Sequence, residues 1–217
     1  TRLLLQNGQT PNFMTNSLAF NPKNELYAWD TGRSQLYSID YSSGRINYIG
    51  SPGTNSTPRW INGLSFDRAG NLYGLHGPTN ELLSINPVTG AVSSIGYLGR
   101  QINHNGLAID FRTDKLYALT GCMSGWDCQS DMLYELDKTT GQAIASYDLP
   151  FLDLADVGVE FDPITGELYA IRDKSMLMEI DMNIAPFVGI ASGGNGMNID
   201  DVLFQHNYCQ FVILIIL

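Results

Sequence analysis

A strand–turn pattern written four times, at a spacing of about 45 residues, predicts an all-β chain folded as a β-propeller of four-stranded antiparallel blades. The copies read "NSLAFNPKNELYAWD", "NGLSFDRAGNLYGLHG", "NGLAIDFRTDKLYALTG" and "VGVEFDPITGELYAIRD". Two further observations support this class. No stretch has the 3.6-residue periodicity of a long amphipathic helix. Short runs of Leu, Ile, Tyr and Val alternate with Asn, Asp, Gly and Pro turns, as in a β-meander.

The elements follow in order. Each first strand, A, ends on a large apolar residue: Phe20, Phe66, Ile109, Phe161 and, in a fifth position, Phe204. The second strand, B, carries the tyrosine of "LY": Tyr27, Tyr73, Tyr117 and Tyr169. The third, C, is marked by Tyr37, Leu83, Tyr134 and Met178. A turn glycine then stands at Gly44, Gly90 and Gly141, whereas the fourth unit has Ala185 and departs from the pattern. The last strand, D, reads "RINYIG", "AVSSIG", "QAIASYDL" and "PFVGIA". A blade buries both sheet faces against its neighbours, so inner strands such as "LYAL" should be apolar on both sides.

The units run approximately over 16–50, 60–98, 103–149 and 156–192 of one domain, 1–217. Residues 200–217 together with 1–10 would build a closing blade, which makes five with the ring shut by both termini. The end "QHNYCQFVILIIL" lacks the turn residues of the repeat. Three readings stand: a closing strand, a strand exchanged with a second molecule, or the end of a longer chain. An apolar strand with a free edge also favours self-association. Its seven terminal apolar residues are too few to span a bilayer as a helix.

Composition narrows the function classes. Apolar residues make up 44% of the chain, which is globular and not disordered. The net charge of −10 and the absence of a Lys/Arg cluster argue against nucleic acid and anionic membrane as partners. Cys122 and Cys128 bracket a polar loop, "GCMSGWDCQSD", and can close it as a disulfide in an oxidising compartment; two reduced thiols are the alternative. Cys209 is left over. Asn55 opens an N-S-T glycosylation sequon, a triplet that also arises by chance. Thr1 suggests a processed start, and the location expected is extracellular or at the cell surface.

The units "F-(D/N)-x-x-(G)-x-LY-(A/G)-(L/I)" followed by "L-x-x-I-(D/N)-x-x-(S/T)-G" resemble bacterial extracellular propeller domains of unknown function. More distantly they resemble NHL, regucalcin-type lactonase and streptogramin-lyase propellers. The resemblance runs from Leu3 to about Phe204 and rests on structural residues. It implies the fold, a secreted or surface setting, and a site on the face where strand A begins and strand B ends. The regucalcin-type members imply a metal in that region.

On that face the sequence offers two rings. Four positions before each A-strand marker stand Asn16, Asn62, Asn105, Val157 (with Asp156 beside it) and Asp200. Their oxygens could converge on Ca²⁺; alternatively they cap strand starts and loop backbone. At the ends of the B strands stand Asp30, His76, Thr120 and Arg172, where the repeat is least uniform. His76 with Asp30 or Asp200 is a possible acid–base pair, or a surface histidine before a turn; His104 is a second candidate on the same face. The third unit is lengthened by "CMSGWDCQS", whose Trp126 suits a glycan or protein contact unless it folds back as the loop's own core. Trp60, ahead of Asn62, belongs to the same face. No nucleophile motif or phosphate loop is present, and "GGNG" at 193–196 lacks the strand–loop–helix context.

Three functions follow. The first is a secreted, non-enzymatic module that presents one loop face to a glycan or protein. The second is a Ca²⁺-assisted lactonase- or lyase-like enzyme, against which stands the shortage of axial carboxylates. The third is a structural subunit of an extracellular fibre or surface layer.

Overall fold

A computed structural model describes residues 4–5, 14–53, 60–102, 105–120, 131–149, 157–172, 176–180, 182 and 187–192. After a two-residue strand β1 (Leu4–Leu5) come four groups of four strands. The first is β2 (Thr15–Phe20), β3 (Leu26–Asp30), β4 (Gln35–Asp40) and β5 (Arg45–Gly50). The second is β6 (Ile61–Phe66), β7 (Leu72–His76), β8 (Glu81–Ile85) and β9 (Val92–Tyr97), with a short 3₁₀ turn at Gly77–Thr79. The third is β10 (Asn105–Asp110), β11 (Lys115–Thr120), β12 (Asp131–Leu136) and β13 (Ala143–Leu149). The fourth is β14 (Val157–Phe161), β15 (Leu168–Arg172), β16 (Met176–Ile180) and β17 (Phe187–Ser192). Within each group the strands pair in chain order and antiparallel. The first strands β2, β6, β10 and β14 stand side by side, so successive sheets meet face to face as propeller blades.

Four blades are therefore described. Strand β1 runs parallel to β5, with Leu4 opposite Arg45 and Leu5 opposite Ile46, and gives blade 1 a fifth strand. The sequence places residues 1–10 in the closing blade; the two described residues of that stretch run along the outer strand of blade 1. Residues 200–217 lie outside the described residues.

The repeat's signature residues turn out to be the joints between blades. Tyr27 of blade 1 meets Phe66 of blade 2 edge-on, with ring centroids 4.9 Å apart, and Tyr117 of blade 3 meets Phe161 of blade 4 at 5.2 Å. Between blades 2 and 3, Tyr73 and Ile109 share one buried cluster. In blades 1 to 3 the "LY" tyrosine thus packs against a large apolar residue near the end of strand A of the next blade. Strand B is buried on both faces, as in Leu72–Leu75 and Leu116–Thr120, because it lies in the middle of a layered stack. Each such Leu contributes about 1.5–3 kcal/mol by burial. A separate cluster of Leu18, Phe20, Leu26, Ala28, Tyr37, Ile39 and Ile46 belongs wholly to blade 1.

The turns explain the rest of the motif. At the A–B turns Asn21, Asp67, Asp110 and Asp162 accept bonds from backbone N–H groups two to four residues on. At the C–D turns Asp40, Asn86 and Asp137 do the same, and the turn glycine N–H bonds back to their carbonyls. Gly44, Gly90 and Gly141 hold φ of 74°, 71° and 77°, in the left-handed region that favours glycine.

Gly90 and Gly141 also touch the preceding blade. A Cβ on Gly90 would stand 2.4 Å from the carbonyl carbon of Gly50, and one on Gly141 would stand 2.6 Å from the oxygen of Gly96. The ends of strand D in blades 1 and 2 therefore lie against the C–D turn of the next blade, backbone to backbone. Ala143 N–H donates across the same seam to the Leu98 carbonyl at 3.0 Å.

Candidate functional site

Register places the B-strand ends as the sequence predicts. Asp30 pairs with Thr15, His76 with Ile61, Thr120 with Asn105, and Arg172 with Val157. Each is the last residue of strand B opposite the start of strand A, so all four sit at one end of the ring. Their chemistry differs. Asp30 is fully buried. Its Oδ1 accepts from the N–H groups of Gly32 and Arg33 at 2.9 and 3.2 Å, and Oδ2 from Arg33 Nη1 at 2.8 Å. That carboxylate is committed to its own turn. Thr120 is buried and its Oγ1 donates to the Met132 carbonyl at 3.4 Å.

His76 is half-buried and joins a chain that the sequence did not reveal. Its Nδ1 lies 2.7 Å from Thr79 Oγ1, which donates to Glu81 Oε2 at 2.5 Å. Ser94 Oγ donates to Glu81 Oε1 at 2.8 Å. Burial pushes the His76 imidazole below its ordinary pKa, against a smaller raising effect of the Glu81 charge. Hydrogen bonds from Thr79 and Ser94 hold the Glu81 carboxyl below the usual carboxylate range. The contacts of His76 run to Thr79 and Glu81, while Asp30 is held by Arg33. Thr79 and Glu81 follow His76 at three and five residues in "HGPTNE", a local spacing that a search for acidic partners elsewhere in the chain overlooks.

The connections entering strand A are pinned to the B–C turns. Thr31 N–H donates to the Met14 carbonyl at 2.8 Å, and Gly77 N–H to the Trp60 carbonyl at 3.3 Å. Met14 and Trp60 thus hold equivalent places on neighbouring blades. The two residues are 58% and 51% exposed. Asn80, also in the B–C turn of blade 2, accepts from Leu98 N–H through its carbonyl and from Ile102 N–H through Oδ1. The turn beside Trp60 is therefore fixed to the strand-D exit of its own blade.

The asparagine ring is less regular than its spacing. Asn62 sits in a bulge, where the register slips between Ile61 and Gly63, and Asn16 in a wider slip between Thr15 and Leu18. Asn105 pairs without a slip. The glycine of "NG" has its own reason: a Cβ on Gly63 would stand 2.7 Å from Leu107 N on the neighbouring inner strand. Among the described residues, Asn62 Oδ1 is buried with no hydrogen-bond partner. Ca²⁺ takes carboxylate, carbonyl and amide oxygens, and the described ring positions are the amide-bearing Asn16, Asn62 and Asn105. Among the described residues no group of three or more His, Cys, Asp or Glu side chains is disposed to hold a metal. Trp126, Cys122, Cys128, His104, Asn55, Asp156 and Asp200 lie outside the described residues.

The opposite end holds different chemistry. Lys138 of blade 3 bridges Asp114 of its own blade at 2.6 Å and Asp67 of blade 2 at 3.5 Å, with Nζ 6.0 Å from the Tyr73 ring centre. Arg68 Nε donates to the Phe111 carbonyl across the same seam. A cavity lined by Glu25, Tyr27, Asp40 and Asn47 also opens at this end of blade 1.

Comparison with known proteins bears on the fold. No protein-family model matches the chain, and no curated protein does. Among solved structures, a protein of unknown function from Bacteroides thetaiotaomicron superposes with a TM-score of 0.66 at 16% identity, over 90% of this chain and 55% of that one. A gluconolactonase from Xanthomonas campestris gives 0.58 at 14% identity, over 82% and 62%. Virginiamycin B lyase from Staphylococcus aureus gives 0.56 at 11%, over 93% and 66%. The chain thus spans less than two thirds of the length of these structures. Among the described residues no helix is long and apolar enough to cross a membrane. Identities this low establish a shared fold: the chain is an all-β propeller, similar in architecture to these lactonase and lyase propellers.

Proposed function

We propose that this chain is an extracellular ligand-binding propeller module, and that it engages a glycan or a protein through the end where strands A begin and strands B end. One observation carries the reading. Met14 and Trp60, at equivalent places on adjacent blades, are large apolar residues left exposed there, on connections held by backbone hydrogen bonds. A large apolar side chain kept exposed on a fixed backbone contributes little to folding and is suited to contact. Two carboxylates of the same end are already engaged: Asp30 by Arg33 and its turn, Glu81 by Thr79 and Ser94. That favours binding over hydrolysis.

We further propose that a closing blade packs beside blade 1, whose buried cluster of Leu18, Phe20 and Leu26 is confined to that blade. Trp126 in the loop of the third unit would extend the contact surface, with Cys122 and Cys128 as a disulfide that stiffens it.

The test is a microarray of immobilised glycans and surface proteins, probed with wild type, Trp60→Ala and Val88→Ala. Val88 is 80% exposed in a C–D turn at the other end. The reading requires a signal that Trp60→Ala removes and Val88→Ala leaves intact. Equal signals from all three would show that this end is not the binding face.

A further inference from the structure

Proton counting fixes the directions of the polar chain beside Trp60. An ionised carboxylate only accepts, so Thr79 Oγ1 and Ser94 Oγ both donate to Glu81, at 2.5 and 2.8 Å. Thr79 has one hydroxyl proton, and it is spent on Glu81. The 2.7 Å contact between His76 Nδ1 and the same Thr79 oxygen therefore needs its proton from the ring. Nδ1 carries the hydrogen, and the lone pair of the neutral imidazole sits on Nε2. Nε2 has no partner among the described residues. Around the ring, β6 presents apolar Ile61 and β8 presents Glu81, which is the charged group that faces it.

An exposed aromatic residue stands on the connection that enters the strand paired with His76. His76 pairs with Ile61, and Trp60 precedes Ile61, tied by Gly77 N–H to the same turn. A saccharide ring presents an apolar C–H face to an indole and hydroxyl donors at its rim. We propose that His76 Nε2 accepts a hydrogen bond from a hydroxyl of a saccharide whose apolar face lies on Trp60. Thr79 and Glu81 are positioning residues: they set the tautomer and hold the ring. The proposal rests on the binding-face reading above and specifies its ligand class.

The first test needs no ligand. Long-range ¹H–¹⁵N spectra of ¹⁵N-histidine-labelled protein, assigned with His76→Phe, report the tautomer directly. The expected result is Nδ1–H for His76, lost in Thr79→Val; an Nε2–H tautomer in wild type overturns the proposal. The second test titrates methyl glycosides of glucose, galactose, mannose and N-acetylglucosamine. Binding of one of them should weaken about tenfold in His76→Phe, the cost of one hydrogen bond. Binding lost in Trp60→Ala but untouched in His76→Phe keeps the face and removes the histidine from it. No binding by any glycoside overturns the saccharide assignment while leaving a protein partner for the face.

Discussion

Replacing Gly96 by Ala tests whether the blades stack as described. Gly96 stands one residue before the end of strand D of blade 2, and a Cβ there would stand 2.1 Å from the Thr140 carbonyl oxygen in the C–D turn of blade 3. The neighbour is backbone, so no side-chain rotation relieves the overlap; the turn itself must move. Overpacking of this kind costs about 1–3 kcal/mol, and a backbone neighbour places it at the upper end. At roughly 2–4 °C per kcal/mol for a domain of this size, the melting temperature should fall by about 4–12 °C. Ser93→Ala, at an exposed position on the same strand, should change it by less than about 0.5 kcal/mol. The assay is a thermal melt followed by circular dichroism. A Gly96→Ala protein that melts with wild type would refute the backbone contact between blades 2 and 3. Gly50→Ala repeats the experiment one seam earlier, where the Cβ would stand 1.8 Å from the Thr89 oxygen.

Further outcomes follow from the charges and the exposed face. Lys138→Ala strands Asp67 and Asp114 without their shared cation and should cost about 1–3 kcal/mol, between the values of surface and buried pairs, in a denaturant titration. Burial raises the Asp67 pKa, but bonds from Asn71 and the Lys138 charge outweigh it and the net shift is downward. Its stabilisation is thus present above the unfolded carboxylate pKa and is lost as pH falls through the lower folded value; Lys138→Ala should flatten that acid limb. Asp40, bonded by the Ser42 and Ser43 hydroxyls, should titrate at about 2 in a carboxyl ¹³C experiment and move toward the ordinary range in Ser42→Ala/Ser43→Ala. Tyr73, pushed up to about 12 by burial and the Asp67 charge, should resist phenolate formation during alkaline titration until the chain unfolds. Trp60→Ala should leave stability within about 0.5 kcal/mol of wild type, because the side chain packs little.

The sequence revealed the blades because propeller stacking repeats the same physical demand. In the first three blades the Tyr of "LY" meets an A-strand residue of the next blade and the C–D turn admits a left-handed glycine, so both recur at fixed spacing. The site was less legible, since its partners are local and specific to one blade. Glu81 holds His76 through Thr79, a three-residue arrangement that occurs once and leaves no periodic trace. Asp30 looks like a site acid by position, yet its side chain caps the turn that Arg33 follows. The ring of Asn16, Asn62 and Asn105 is periodic in sequence, but bulges at the first two positions and none at the third break the equivalence that spacing implies.

The most direct test of the binding face is ¹⁹F NMR on protein labelled with 5-fluorotryptophan. The chain has three tryptophans, so each resonance can be assigned by substitution. Trp29 is fully buried and Trp60 is exposed, which separates them by solvent isotope shift before any ligand is added. During titration with the methyl glycosides, the Trp60 resonance should move and saturate while Trp29 stays fixed. A Trp60 signal that is shielded from solvent, or that stays still while another resonance saturates, would contradict the assignment of this end as the binding face.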